Sequence, residues 1–197
     1  DVKTLTYYYD KDNPNITASI SPNTTAEKMD NSKNNPVLKY TFSDKTLSSY
    51  EITLNDEKIN VSSSSGEAEL KNVKEGENNI VITVMDKADN ESEQELTYYR
   101  DTVTPEAGYV KVIPKTGFFN TSNKLPIVYW SGFSDDNLSE IQIKINDGEY
   151  KTLGLDSSGE GQLQGVDFSK DGKYTLTVRG IDKAGNTSEE ISSNYYY

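Results

Sequence analysis

Hydrophobic and polar residues alternate along most of this chain. Tyr50, Ile52 and Leu54 are separated by Glu51 and Thr53, and Ile141, Ile143 and Ile145 by Gln142 and Lys144. Ile80, Ile82 and Val84 repeat the pattern, as do Tyr174, Leu176 and Val178. A period of two belongs to strands with one face buried. No helix-period stripe of useful length interrupts it, and turn residues recur at the roughly 8–12-residue spacing of an antiparallel sandwich. The pattern predicts strands near 15–20, 36–43, 48–55, 57–61, 67–71, 79–85 and 92–100, then near 106–113, 125–133, 139–146, 148–153, 160–166, 173–181 and 187–197. The stretches 21–35 and 114–124 read as polar loops.

The two sets are copies of one unit. Leu5-Thr6-Tyr7-Tyr8-Tyr9-Asp10 matches Leu96-Thr97-Tyr98-Tyr99-Arg100-Asp101 at a spacing of 91, and Asn194-Tyr195-Tyr196-Tyr197 is a third occurrence. Pro14 and Pro105, Ser43-Asp44 and Ser134-Asp135, and Asn55-Asp56 and Asn146-Asp147 align at the same spacing. Asp86-Lys87-Ala88-Asp89-Asn90 aligns with Asp182-Lys183-Ala184-Gly185-Asn186 at 96. The expected organisation is residues 1–9 as the last strand of a preceding repeat or a lead-in, 10–100 as one domain and 101–197 as a second, with both ends interrupting a tandem array. Aligning Pro126 with Pro36 sets Trp130, the only tryptophan, opposite Tyr40 and requires one extra residue at Gly132, the usual material of a bulge. Trp130 is therefore expected in a core.

Composition removes several kinds of chemistry. The net charge of -12 divides as 18 acids and 11 bases in residues 1–100 and 14 and 9 in 101–197, so neither half offers a basic face for nucleic acid or an anionic membrane. There is no cysteine for a disulfide or thiolate and no histidine as base or transition-metal ligand. No apolar run approaches the roughly 20 residues that span a bilayer, so no membrane insertion is expected. Serine or threonine nucleophiles would lack a histidine partner, Asp135-Asp136 reads as a loop rather than an acid/base dyad, and Asp167 to Gly172 lacks the glutamate that closes an EF-hand.

Gly172-x-Tyr174-x-Leu176-x-Val178, followed by Asp182-x-Ala184-Gly185-Asn186, resembles the bacterial immunoglobulin-like domains that form tandem arrays in Gram-positive surface adhesins and accessory modules of secreted enzymes. Asp101-x-x-x-Pro105 and the Ser134-to-Leu138 loop carry the resemblance further, over nearly all of 10–197. It implies an all-β fold of two tandem immunoglobulin-like Greek-key β-sandwiches, about seven strands each. It also implies an extracellular location, on a bacterial surface or secreted, with neighbouring domains of the same chain as partners. The first domain departs from the motif: Asn78 stands where Tyr174 does, and Asp89 where Gly185 does. If Tyr174 bonds backbone as corner tyrosines do, the first domain lacks that lock, and if Gly185 adopts a positive φ, Asp89 pays a modest penalty; on both grounds the first domain is expected to be the less stable.

Strand parity locates the candidate site. In a seven-strand Greek key the lead-in, the second-to-third-strand loop and the last turn lie at one end. In the second domain that end collects Asp101, Asp135, Asp136, Asp182 and Asn186, and in the first Asp10, Asp12, Asp44, Asp86 and Asp89. Converging carboxylates without sulfur or imidazole suit a hard cation such as Ca²⁺, and some relatives hold Ca²⁺ at domain junctions. The metal candidates are Asp101, Asp135, Asp136 and Asp182, then Asp10, Asp44 and Asp86; each could instead cap its own turn. A Lys–Asn isopeptide or Thr–Gln ester, known in related domains, is disfavoured because alternation points Lys39, the strand lysine, outward. The tyrosine triplets suit core and junction packing before sugar stacking. Together these readings describe a non-catalytic spacer or presentation module, about 70–90 Å long from strand length, within an adhesin or multidomain hydrolase. The alternative is an adhesin module that recognises a host glycan or protein.

Overall fold

The computed structural model describes residues 3–113, 126–162 and 170–197. The expected loop at 114–124, Asp167 and parts of the strands expected at 125–133 and 160–166 lie outside these residues. The described residues form fourteen strands and no helix. Contacts divide the chain into two compact units, Asp1–Asp101 and Thr102–Tyr197.

The first unit contains β1 (Asn15–Ser21), β2 (Val37–Ser43), β3 (Leu47–Leu54), β4 (Glu57–Ile59), β5 (Ser65–Glu69), β6 (Gly76–Asp86) and β7 (Glu91–Arg100). They build two antiparallel sheets in the orders β1-β2-β5 and β4-β3-β6-β7. The second unit contains β8 (Tyr109–Ile113), β9 (Ile127–Ser131), β10 (Leu138–Ile145), β11 (Lys151–Gly154), β12 (Gly159–Gln162), β13 (Lys173–Asp182) and β14 (Ile191–Tyr196). Its sheets, β8-β9-β12 and β11-β10-β13-β14, repeat the first unit strand for strand. Each unit is a sandwich of the immunoglobulin kind, three strands facing four.

Alternation does the packing. Leu38, Tyr40 and Phe42 of β2, with Ile80, Ile82 and Val84 of β6, point inward and are buried; Lys39 and Thr41 point out. In the second unit Val128, Trp130, Ile141, Ile143, Leu176 and Val178 form the equivalent core. Trp130 pairs with Gly159 as Tyr40 pairs with Gly66, so the aromatic residues occupy one place in two copies. Gly132 follows β9 at φ 76°, and the extra residue leaves Phe133 buried where Phe42 is buried in the first copy.

β14 begins at Ile191 rather than 187. The Ser188 hydroxyl accepts the Gly180 N–H at 2.9 Å and donates to the Glu189 carbonyl, so a side chain replaces one rung of the ladder.

The corner of the first sandwich corrects one expectation. Asn78 is wholly buried, and its amide donates to the carbonyls of Lys74 (2.9 Å), Gly76 (3.1 Å) and Tyr98 (3.4 Å). Its Oδ1 accepts from the Lys74 N–H and from Asn55 Nδ2, both at 2.9 Å. In the second sandwich the Tyr174 hydroxyl donates to the Lys170 carbonyl at 2.8 Å. The first unit therefore has a corner lock of its own, made by an amide with five hydrogen bonds. Its corner gives no reason for a lower stability, while Asp89 at φ 63° keeps the left-handed penalty expected where the second unit has Gly185.

Candidate functional site

The last turn of each sandwich is folded around an aspartate. Asp86 ends β6, and its Oδ1 accepts the N–H groups of Ala88 (2.7 Å) and Asn90 (2.9 Å), while Oδ2 accepts Asn90 Nδ2 at 2.8 Å. Asp182 ends β13 and does the same with Ala184 (2.9 Å), Asn186 (2.8 Å) and Asn186 Nδ2 (2.8 Å). This explains the Asp-x-Ala-x-Asn spacing: one carboxylate holds a five-residue turn closed from inside. The fourth position needs a left-handed backbone, and Asp89 takes φ 63° where Gly185 takes φ 89°. Burial acts to raise the Asp86 pKa, but the donors from Asn90 and Ala88 outweigh it and leave the carboxyl below its usual range. Asp86 is ionised at neutral pH.

Two further carboxylates approach each turn. Asp44 begins the β2–β3 loop, its Oδ1 accepting the Thr46 N–H at 2.6 Å, and Asp135 does likewise for the Asn137 N–H at 2.7 Å. Asp10 Oδ2 accepts the Thr46 hydroxyl at 3.1 Å, and its Oδ1 the Asp12 N–H at 3.2 Å. Oxygens of Asp10, Asp44 and Asp86 lie within 4.8 Å of one another, as do oxygens of Asp101, Asp135 and Asp182. Asp86, Asp101 and Asp182 are buried; Asp10, Asp44 and Asp135 are half-buried. Asp136 is exposed and outside its trio, as are Asp12 and Asp89 in the first unit.

The donor set is all hard oxygen. Two oxygens bound to one Ca²⁺ at about 2.3–2.6 Å stand no more than about 5 Å apart, so each trio has the span such an ion requires. Among the described residues no lysine or arginine forms an ion pair with Asp10, Asp44 or Asp86. The same oxygens also hold turns, so each cluster carries a structural role whether or not it takes a cation. A shallow cleft of about 370 Å³ opens beside the first trio, lined by Asp10, Asp12, Ser43, Asp44 and Lys45.

Two features escaped sequence reading. The loop 21–35 returns to β7: the Asp30 N–H donates to the Tyr99 carbonyl at 3.0 Å, and the Tyr98 hydroxyl donates to the Asp30 carboxylate beneath. Burial, then the bond to Asp30, push the Tyr98 pKa up to about 12. Arg100 sits beside this pair and bonds the Asn34 carbonyl. The second feature is the place of Tyr40 beneath a cleft at the β4–β5 margin. An inward tyrosine is visible in the alternation, but its neighbours lie on strands whose pairing the alternation leaves open.

Lys39 is exposed, 3.8 Å from Glu67, as its parity requires. The first triplet is exposed, with Tyr7 at 82%, whereas its repeat equivalents Tyr98 and Tyr195 are buried at 0% and 3%.

No protein-family model and no curated protein matches the chain. Among solved structures it is similar to the fibronectin(III)-like modules of Clostridium thermocellum CbhA, at 17% identity and TM-score 0.55 over 91% of this chain and 93% of that one. It is also similar to a tetra-tandem repeat in the extending region of a large adhesion protein, at 16% identity and TM-score 0.40 over 93% of this chain and 49% of that one. A third similarity is to a 1.5-MDa bacterial ice-binding adhesin, at 15% identity and TM-score 0.42 over 95% of this chain and 66% of that one. The first likeness shows the fold, two sandwiches of the immunoglobulin and fibronectin(III) kind.

Proposed function

We propose that the chain is a non-catalytic spacer or presentation module of a larger bacterial surface or secreted protein, with two Ca²⁺-binding carboxylate trios. The observation that supports this most is duplication: both sandwiches repeat the same strand order, the same aspartate-centred turn and the same trio. A catalytic centre normally arises at one place, whereas a tandem structural element is copied whole. In this reading Asp10, Asp44 and Asp86 hold one ion and Asp101, Asp135 and Asp182 the other. Backbone carbonyls and solvent would complete six to eight oxygens. Bound Ca²⁺ would neutralise converging carboxylates and tie the lead-in, loop and turn together.

Residues 1–9 are read as the last strand of a preceding repeat or as a lead-in. Tyr7 aligns with Tyr98 and Tyr195, both core residues of their sandwiches, while Tyr7 itself is exposed. An outward tyrosine at a core position of the repeat fits a strand whose sandwich is supplied by other residues.

Calorimetry and melting test the metal. Two sites are expected, with a rise in melting temperature on adding Ca²⁺ that a chelator reverses; a ligand at 100 times its Kd stabilises by about 2.7 kcal/mol. Asp86→Asn should remove one site and leave the other. Absence of any shift at millimolar Ca²⁺ would reduce both trios to turn caps. Small-angle scattering tests the spacer separately: a particle about 70–90 Å long is expected from strand lengths, and a compact globule overturns it.

A further inference from the structure

In the second sandwich the polar atom of the core aromatic is satisfied by its own chain: Trp130 Nε1–H donates to the Asp156 carbonyl at 2.9 Å. Tyr40 holds the same place in the first sandwich and is 96% buried, from a residual exposure of 4%. Its hydroxyl makes no hydrogen bond to any described residue, and burial raises its pKa. The oxygen is not sealed from solvent. Tyr40 lines a cleft of about 560 Å³ where β4 and β5, outer strands of the two facing sheets, part from each other. Gly66 stands opposite Tyr40, and a Cβ there would come within 3.3 Å of the hydroxyl oxygen, so the missing side chain keeps the approach open.

The walls determine what fits. The volume lies in the range of about 300–1,000 Å³ typical of small-molecule sites. Ile59 supplies an apolar wall, while Asn60, Ser62 and Asn72 supply neutral groups. The charges around the rim are largely matched: Lys58 pairs with Glu51 at 2.6 Å, Lys71 with Glu69 at 3.9 Å and Glu67 with Lys39 at 3.8 Å. Glu57 forms no ion pair among the described residues, so it adds an acceptor and repels anions. The connection from β4 to β5 contributes Asn60 and Ser62 to the lining, and the one from β5 to β6 contributes Asn72.

We propose that this cleft binds a neutral sugar of one or two residues, with the Tyr40 hydroxyl bonding a ligand hydroxyl at its floor. The site is absent from the second sandwich because Asp156 fills the corresponding role. It is independent of the spacer reading and of Ca²⁺, and stands or falls without them.

The test is amide-resolved NMR on the full chain, titrated with the methyl glycosides of glucose, galactose and N-acetylglucosamine and with cellobiose and lactose. Saturable shifts confined to the amides of 57–62 and 66–72 are expected for at least one probe. Tyr40→Phe should weaken that probe about three- to tenfold, the worth of one neutral hydrogen bond, without lowering the melting temperature. Gly66→Ala, which crowds the hydroxyl, should weaken it as well and provides the reading if Tyr40→Phe fails to fold. The proposal is overturned if no probe gives saturable shifts there or if both variants bind as the native chain does.

Discussion

Trp130 and Gly159 stand opposite each other across β9 and β12, and the indole fills the volume that a side chain at 159 would need. A Cβ on Gly159 would lie 2.6 Å from Trp130 Cζ2, and one on Gly154 only 2.3 Å away. The ring is thus seated in a slot of two glycines, with its N–H on the Asp156 carbonyl. Gly159→Ala is expected to destabilise the second sandwich by about 1–3 kcal/mol through overpacking. Trp130 fluorescence reports the loss directly, since the first unit has no tryptophan. Gly66→Ala should cost less in stability, because its Cβ meets only the edge of Tyr40 at 3.3 Å.

The two corners should respond differently to truncation. Asn78→Ala removes five hydrogen bonds and strands buried backbone groups, and is expected to cost about 2–4 kcal/mol. Tyr174→Phe removes the bond to the Lys170 carbonyl and should cost about 1 kcal/mol. Urea unfolding followed by far-ultraviolet circular dichroism and by Trp130 fluorescence separates the units. Equal losses from the two variants would show that the amide corner is no stronger than the phenol.

The aspartate-centred turns make a third contrast. Gly185→Ala places a Cβ at φ 89° and is expected to cost about 1–2 kcal/mol. Asp89→Gly relieves a left-handed aspartate at φ 63° but frees the unfolded chain, so it should change stability by less than about 0.5 kcal/mol. Thermal melts of both variants check this, and a large loss from Asp89→Gly would mean that its side chain has a role beyond the turn.

Alkaline pH should loosen the first sandwich. The Tyr98 pKa is about 12 when folded against an ordinary value of 10.0, so the folded state holds that proton more tightly. Between these values the unfolded state binds fewer protons, and stability falls as pH rises. The contribution is fully present below pH 10 and is lost on rising through about 12. Tyr98→Phe should flatten this decline in urea melts and lower stability at neutral pH by removing the bond to Asp30. An unchanged slope would assign the alkaline loss to other tyrosines.

The long inner strands could be read from the chain because each has one wet face, and burial writes itself into sequence as a period of two. β2, β3, β6, β7, β10 and β13 lie within one to three residues of the spans that alternation predicts. The short outer strand β5 runs Ser65–Glu69 instead of 67–71, because pairing with β2, Tyr40 opposite Gly66, sets its ends. Parity was enough to bring Asp10, Asp44 and Asp86 to one end, but not to separate Asp135 from Asp136. That choice depends on which side chain the loop turns inward.

By itself the sequence determined the duplication, the all-β class and the two aspartate-centred turns, since these rest on local periods and on spacings within a few residues. Tertiary structure decided that Asn78 replaces the Tyr174 lock, that Asp30 reaches Tyr98 across 68 residues and that Tyr40 is left without the partner Trp130 has. Each of these depends on which backbone groups a buried side chain meets, and only the register of distant strands supplies them.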